Sequence, residues 1–198
     1  MAAITNRCAW VNSPDPMYAE YHDTEWGVPE YDSRALWEKL MLDGFQAGLA
    51  WITVLRKRET MRQAFHGFDP EIIARYTDAD RARLLADPGI IRSKLKIAAA
   101  ITNARAYLDM RNRGEDFSEY LWGYVDGVPV QNSYTSLSGL PTQTPVSQAL
   151  SKDLKKRGFK FVGPVIVHAF MEAVGLVNDH EISCPRHADV MAMSPVRR

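Results

Sequence analysis

Three observations on the sequence predict an all-α fold. Apolar residues recur mainly at helical spacing. No series of strict alternations supports a sheet. The periodic segments begin at residues that cap helices and stop at Pro or Gly. After Asp32-Ser33, a pair suited to capping a first turn, Leu36, Trp37, Leu40 and Met41 form i, i+4 pairs and predict a helix. Thr77 with Asp80 has the form of a capping box ahead of Leu84 and Leu85, and Pro88-Gly89 ends that helix. From Lys94, the positions Ile97, Ile101, Ala104 and Leu108 predict an amphipathic helix of about four turns. Another starts after Pro145 and runs through Ala149, Leu150 and Leu154 to Gly158. Residues 163–175 are almost wholly apolar and predict a central, buried helix. Residues 127–145, rich in Pro, Ser, Thr, Gly and Gln, read as a long loop, a kind of segment that is usually functional or mobile. There are no repeats and no low-complexity tract.

The chain has 198 residues, 46% hydrophobic and 24% charged, which fits one compact domain or two small lobes sharing a core. Lys+Arg and Asp+Glu both total 24, so no net field draws the protein toward nucleic acid or membrane from a distance. Such binding has to come from local basic clusters. Apolar runs such as 164–167 are far short of the roughly 18 residues of a membrane span. The start, MAAITNRCAW, lacks a basic segment followed by an apolar run, so an intracellular, cytoplasmic protein is expected.

The only two cysteines, Cys8 and Cys184, lie near opposite ends of the chain. In a reducing compartment they suit metal ligation better than a disulfide. With His22 and His180 they offer two thiolates and two imidazoles, a set that suits tetrahedral zinc, and His180 and Cys184 are spaced i, i+4. If all four ligate, no position remains for water, and the metal is a structural staple. On spacing alone other readings stand: both Cys are buried thiols beside ordinary His residues, or His187 supplies a rival imidazole. His168, inside the apolar segment, reads as a satisfied core histidine, and His66 suits a metal less well.

Trp10, Trp26, Trp37 and Trp51 fall in the first 51 residues of the chain with Tyr18, Tyr21 and Tyr31. Trp37 pairs with Met41 and reads as core. The others suit either plain packing or a slot for a planar ligand, and a cationic ring gains about 0.5–2 kcal/mol from such faces. Asp43 interrupts the apolar run LMLDGFQAGLAW as either a helix-end cap or an acceptor aimed into the slot. Two glycine turns open onto helices among basic residues. One is GIIRSKLK, with Arg92, Lys94 and Lys96; the other is KKRGFKFVGP, with Lys155, Lys156, Arg157 and Lys160 around Gly158 and Gly163. Backbone N–H groups at such turns suit phosphate, although charged helix ends are commonly just solvated.

The blocks RCAW, YHDTEWGVP, QAGLAWITVLRKRE, GIIRSKLKI with NARAY, KKRGFKFVG and GLVNDH closely resemble, in matching order from about Arg7 to Cys184, the 3-methyladenine DNA glycosylase I family (constitutive type) of the helix-hairpin-helix glycosylase superfamily. The resemblance implies a single two-lobed all-α glycosylase domain over 1–198 with a DNA-facing cleft and a helix-hairpin-helix turn at about 155–165. It implies one structural Zn2+ per chain, held by Cys8, His22, His180 and Cys184 and joining the terminal segments, with His187 left out. It places the base pocket at Trp10, Tyr18, Tyr21, Trp26, Asp43 and Trp51, with Trp51 and Trp10 stacking on the base while Asp43 and Tyr21 read its edge as the catalytic pair. Gly48 and Leu49 match the loop that enters the duplex where the lesion has flipped out, and Lys155, Lys156, Arg157, Gly158, Lys160 and Gly163 match the DNA-binding hairpin.

The implied activity is base-excision repair: hydrolytic N-glycosyl cleavage of 3-methyladenine from alkylated double-stranded DNA by a monomer, releasing the free base. An N3-methylated adenine is cationic and leaves as a neutral base, so little acid catalysis is needed. No lysine is expected in the pocket, which predicts base removal without strand cleavage. Asp179, in Val177-Asn178-Asp179-His180, is not assigned a catalytic role. The family usually has Glu at Asp43 and a polar residue at Phe45. The shorter Asp43 withdraws the carboxylate by roughly one C–C bond, and a displacement near 1 Å costs on the order of 100-fold where geometry is critical. Two rivals accompany the enzyme reading: a zinc-stapled lesion-binding protein with weak or altered turnover owing to Asp43, and, separately, a hydrolase using an open zinc. Asp23 and Glu25 read as solvent-facing or capping residues.

Overall fold

The computed structural model describes residues 6–11 and 14–193. The first five residues, on which part of the leader argument rests, lie outside them. Asp15 accepts from the Met17 N–H to open α1 (Pro16–Thr24), and Asp32 accepts from Arg34 and Ala35 N–H groups to open α2 (Ser33–Gln46). Leu36, Trp37, Leu40 and Met41 are all buried on α2, as their spacing predicts. α3 (Trp51–Ala64) and the short α4 (Pro70–Ile73) precede α5 (Asp78–Ala86), which carries the expected Thr77–Asp80 capping box. α6 (Lys94–Asn112) has 19 residues, a turn more than expected, because Met110 extends the buried stripe past Leu108. α7 (Phe117–Trp122), α8 (Pro145–Lys156), α9 (Pro164–Ala173) and α10 (Pro185–Met191) complete the helices.

α2 is the central element. It packs against α3, α6, α7 and α9, while α8 lies on α9, and α4 and α5 lie on α6. The buried apolar side chains form one continuous cluster, so any two lobes share a single core. α9 is buried along Val167, His168, Phe170 and Met171, whereas Val165 stands half-exposed near its start. Just beyond α9, Gly175 takes φ +72°, and a Cβ there would lie 2.5 Å from the Pro29 nitrogen and 2.6 Å from the Gly27 carbonyl oxygen. That close approach presses residues 27–29 against the end of α9.

One expectation needs correction. The 127–145 segment contains β1 (Val130–Gln131), which pairs in parallel with β2 (Val177–Asn178) in the register Val130 to Val177 and Gln131 to Asn178. Strands of two residues are too short to show an alternating pattern, so periodicity could not reveal them. The segment after Cys184, without an expected structure, forms α10 with Pro185 at its first turn. Residues 194–198 lie outside the described part.

Candidate active site and metal centre

A cavity of about 290 Å³ opens between α1, α2, the start of α3 and α9. It is lined by Trp10, Tyr18, Tyr21, Trp26, Lys39, Asp43, Gln46, Trp51, Leu140, Ala169, Glu172 and Ala173. All six residues that the resemblance points to are in this lining. Five short stretches bring them there: the 3-10 turn Ala9–Val11 carries Trp10, α1 carries Tyr18 and Tyr21, the turn just after α1 carries Trp26, α2 carries Asp43, and Trp51 opens α3. The rings meet mostly edge to face. Trp10 lies 5.1 Å from Tyr18 and 5.0 Å from Trp26, and Tyr21 lies 5.3 Å from Trp51. The Nε1 groups of Trp10 and Trp51 are buried donors that no protein acceptor satisfies among the described residues.

Asp43 is 1% exposed, and both its oxygens accept from Lys39 Nζ, at 2.7 and 2.8 Å. The same ammonium lies 4.1 Å from the Trp51 ring centroid. A lysine therefore stands in this pocket, contrary to expectation. Its i, i+4 spacing from Asp43 has the form of an ordinary surface pair, which is why the sequence did not single it out. Burial pushes the Asp43 carboxyl up and the Lys39 ammonium down, while each partner opposes the shift of the other. Burial, with Asp43 next, also holds the Tyr21 hydroxyl well above its ordinary value, so it is a neutral donor.

Glu172 was likewise not anticipated, although an acid within VIVHAFMEA was a visible signal. It lines the cavity from α9, and burial, followed by the neighbouring Asp179, pushes it up to about 8. His168, Glu172 and Asp179 offer side-chain atoms within 4.8 Å of one another. His168 is buried as expected, yet it is not satisfied by hydrogen bonding, and its Nε2 stands 3.6 Å from Asp179 Oδ2. Asp179 is itself buried, its Oδ1 accepting from Asn132 Nδ2 at 2.6 Å. Leu140 brings the 127–145 segment into the pocket wall.

Cys8, His22, His180 and Cys184 are all buried and converge with their ligand atoms within 4.8 Å. Cys8 Sγ is 3.4 Å from His180 Nδ1, and Cys184 Sγ is 3.7 Å from His22 Nε2 and 4.0 Å from His180 Nδ1. Ligands about 2.0–2.3 Å from one tetrahedral ion stand roughly 3.4–3.8 Å apart, so two thiols and two imidazoles at these separations fit a metal closely. The outer atoms are engaged as metal ligands require. His22 Nδ1 meets Asp23 Oδ1 at 2.8 Å, and Asp23 is clamped in turn by Arg7. His180 Nε2 meets the Trp26 carbonyl oxygen at 3.1 Å. Asp23 thus orients a candidate ligand instead of merely facing solvent, and Glu25 pairs with Arg58 at 2.5 and 2.9 Å. The contact between the two cysteines holds Cys184 low and pushes Cys8 up, as expected where two thiols share one site. Gly27, at φ +81°, leaves room that a Cβ would take 2.9 Å from His180 Nε2. His187 stands apart, 2.7 Å from the Asn132 carbonyl oxygen, and His66 meets the Tyr76 hydroxyl.

At the second glycine turn, Lys155, Lys156 and Lys160 are exposed, and Gly158 adopts φ +96°. Asn103 pins the turn by accepting from the Lys160 N–H and donating to its carbonyl oxygen. Arg157 is not free for phosphate, because it pairs with Glu115 at 2.5 Å and Asp153 at 3.0 Å and covers the Tyr120 ring. In the first turn Arg92 and Lys94 are exposed, but Lys96 donates to the Phe45 and Ala47 carbonyl oxygens. That bond steadies the loop in which Gly48 takes φ +76° and Leu49 stands 41% exposed. Phe45 is core, 5.4 Å from Phe65.

The family model for methyladenine glycosylase matches residues 10–187. The chain is 56% identical over 178 residues to DNA-3-methyladenine glycosylase 1 of Escherichia coli K12, covering 90% of this chain and 95% of that one. It resembles a crystal structure of 3-methyladenine DNA glycosylase I at 56% identity with TM-score 0.89, covering 91% and 98% of the two chains. A variant of 3-methyladenine DNA glycosylase I solved in complex with 3-methyladenine is similar at 42% identity with TM-score 0.87, covering 91% and 96%.

Proposed function

The chain belongs to the methyladenine glycosylase family, and from that membership we propose that it removes 3-methyladenine from alkylated double-stranded DNA by hydrolysing the N-glycosidic bond. The observation that carries the reading is the convergence of Trp10, Tyr18, Tyr21, Trp26, Asp43 and Trp51 on one cavity. Its volume lies near the lower end of small-ligand sites, as suits a single flipped base. Trp51 and Trp10 provide faces for stacking, and Asp43 and the neutral Tyr21 hydroxyl provide an acceptor and a donor for the base edge. The base enters as a cation and leaves neutral, so the pocket needs orientation and exclusion of water more than a strong acid. Both Asp43 oxygens hold the Lys39 ammonium, so Lys39 is not a free amine nucleophile, and base removal proceeds without strand cleavage.

Lys155, Lys156 and Lys160, on the turn between α8 and α9, meet the DNA backbone in a helix-hairpin-helix, with Gly158 and Gly163 shaping it. Arg157 positions the hairpin through its acidic partners. Leu49, lifted by Gly48, fills the gap left by the flipped base. Cys8, His22, His180 and Cys184 hold a zinc ion that ties the two ends of the chain and has no open position for water, so the metal plays no part in the chemistry. The protein works as a cytoplasmic monomer.

The Lys39–Asp43 ion pair favours one second reading, a zinc-stapled lesion-binding protein with weak turnover. Incubation with methylated DNA separates the two. Release of free 3-methyladenine in a single turnover supports the enzyme, whereas tight lesion binding without release supports the binder.

A further inference from the structure

The pocket already holds a cation of its own. Lys39 lies one turn before Asp43 on α2 and lines the cavity, its ammonium on both Asp43 oxygens and over Trp51. The Lys39 and Asp43 side chains are only 15% and 2% exposed, so water screens the pair weakly. The nearby Glu25 and Arg58 neutralise each other through a two-pronged pair and give Lys39 no second counter-ion. Glu172, the other acid of the lining, is held protonated at neutral pH by burial beside Asp179. One carboxylate thus meets one ammonium, which competes with a cationic purine for the Asp43 acceptor and the Trp51 face.

We propose that Lys39 is a specificity-determining residue that makes this pocket disfavour a cationic purine relative to its neutral form. The proposal deepens the glycosylase reading and rests on it. During hydrolysis the C1′–N9 electron pair passes to the purine, whose ring becomes neutral. The positive charge moves to the sugar, water forms the new C1′–O bond, and its proton leaves to solvent. The repulsion from Lys39 is therefore present when the lesion binds and vanishes as the bond breaks. Lys39 weakens substrate binding and assists departure of the base.

Two probes test this, with tryptophan fluorescence following binding to the full-length, metal-loaded protein. One is neutral 3-methyladenine; the other is the 3,9-dimethyladeninium cation, in which a methyl group replaces the sugar and the charge is kept. The wild-type protein is expected to bind the neutral probe more tightly. Lys39→Met is expected to shift the ratio of the two Kd values toward the cation by about tenfold, as removal of a nearby like charge in a poorly screened site should. Lys39→Gln, which keeps a hydrogen bond to Asp43, is expected to shift it in the same direction. A merely structural role would weaken both probes equally and leave the ratio unchanged, and that result overturns the proposal. If wild-type protein releases 3-methyladenine from DNA while the ratio stays fixed, this proposal alone fails. Binding of neither probe, with no base released, overturns it together with the glycosylase reading.

Discussion

Asp43 carries its carboxylate one methylene closer to the backbone than a Glu would, and Lys39 holds both its oxygens. If Asp43 reads the base edge, Asp43→Asn should lower single-turnover release of 3-methyladenine on the order of 100-fold, since it removes the anion while keeping the shape. Unchanged release would remove Asp43 from the chemistry. Glu172 makes a prediction about pH. Its value in the folded protein, about 8, lies above the ordinary 4.5, so its contribution to stability is fully present below about pH 4.5 and is lost as pH rises through about 8. Thermal melts from about pH 5 to pH 9 should show the wild-type protein losing more stability than Glu172→Gln; parallel curves would contradict the assignment. The aromatic residues of the pocket crowd into one early part of the chain, but spacing alone fitted plain packing as well as a slot, and the resemblance was what singled out the slot. Lys39 was not legible, and Glu172, although visible as an acid in an apolar run, could not be placed, because nothing in their spacing says which face of α2 or α9 meets the cavity.

At the scale of elements, the hairpin between α8 and α9 separates two kinds of basic residue. Replacing Lys155, Lys156 and Lys160 with Ala should weaken DNA binding uniformly across sequences and reduce the salt slope by about 2–3. Arg157→Ala should instead lower the melting temperature and leave that slope nearly unchanged, because its charge is spent on Glu115 and Asp153. Equal effects from the two variants would contradict this division. Helix starts were readable here because capping is local: Asp32 and Thr77 each sit within three residues of the N–H groups they serve. Partnerships across the fold were not readable. Glu115 lies 42 residues from Arg157, and β1 finds β2 through only two residues on each strand. The position of Gly175 is similar. Its need for a missing Cβ comes from Pro29 and Gly27, which only the folded chain brings near.

For the whole molecule, the Cys8, His22, His180 and Cys184 cluster joins the two ends of a chain whose helices already share one core. Metal analysis should find close to one zinc per chain. Its removal by a chelator should lower the melting temperature by roughly 2–4 °C for each kcal/mol the site contributes, without unfolding the core outright. A metal-free protein of unchanged stability and activity would contradict the staple. The donor types were readable from the sequence, where spacing alone left His187 open as a rival and the resemblance left it out; in the fold His187 turns toward the Asn132 carbonyl oxygen.

The most direct test of the proposed activity is release of free base from N-methylated duplex DNA under single-turnover conditions with protein in excess. Free 3-methyladenine released from an uncut, abasic strand is the predicted result. Folded, DNA-binding protein that liberates no 3-methyladenine would contradict it.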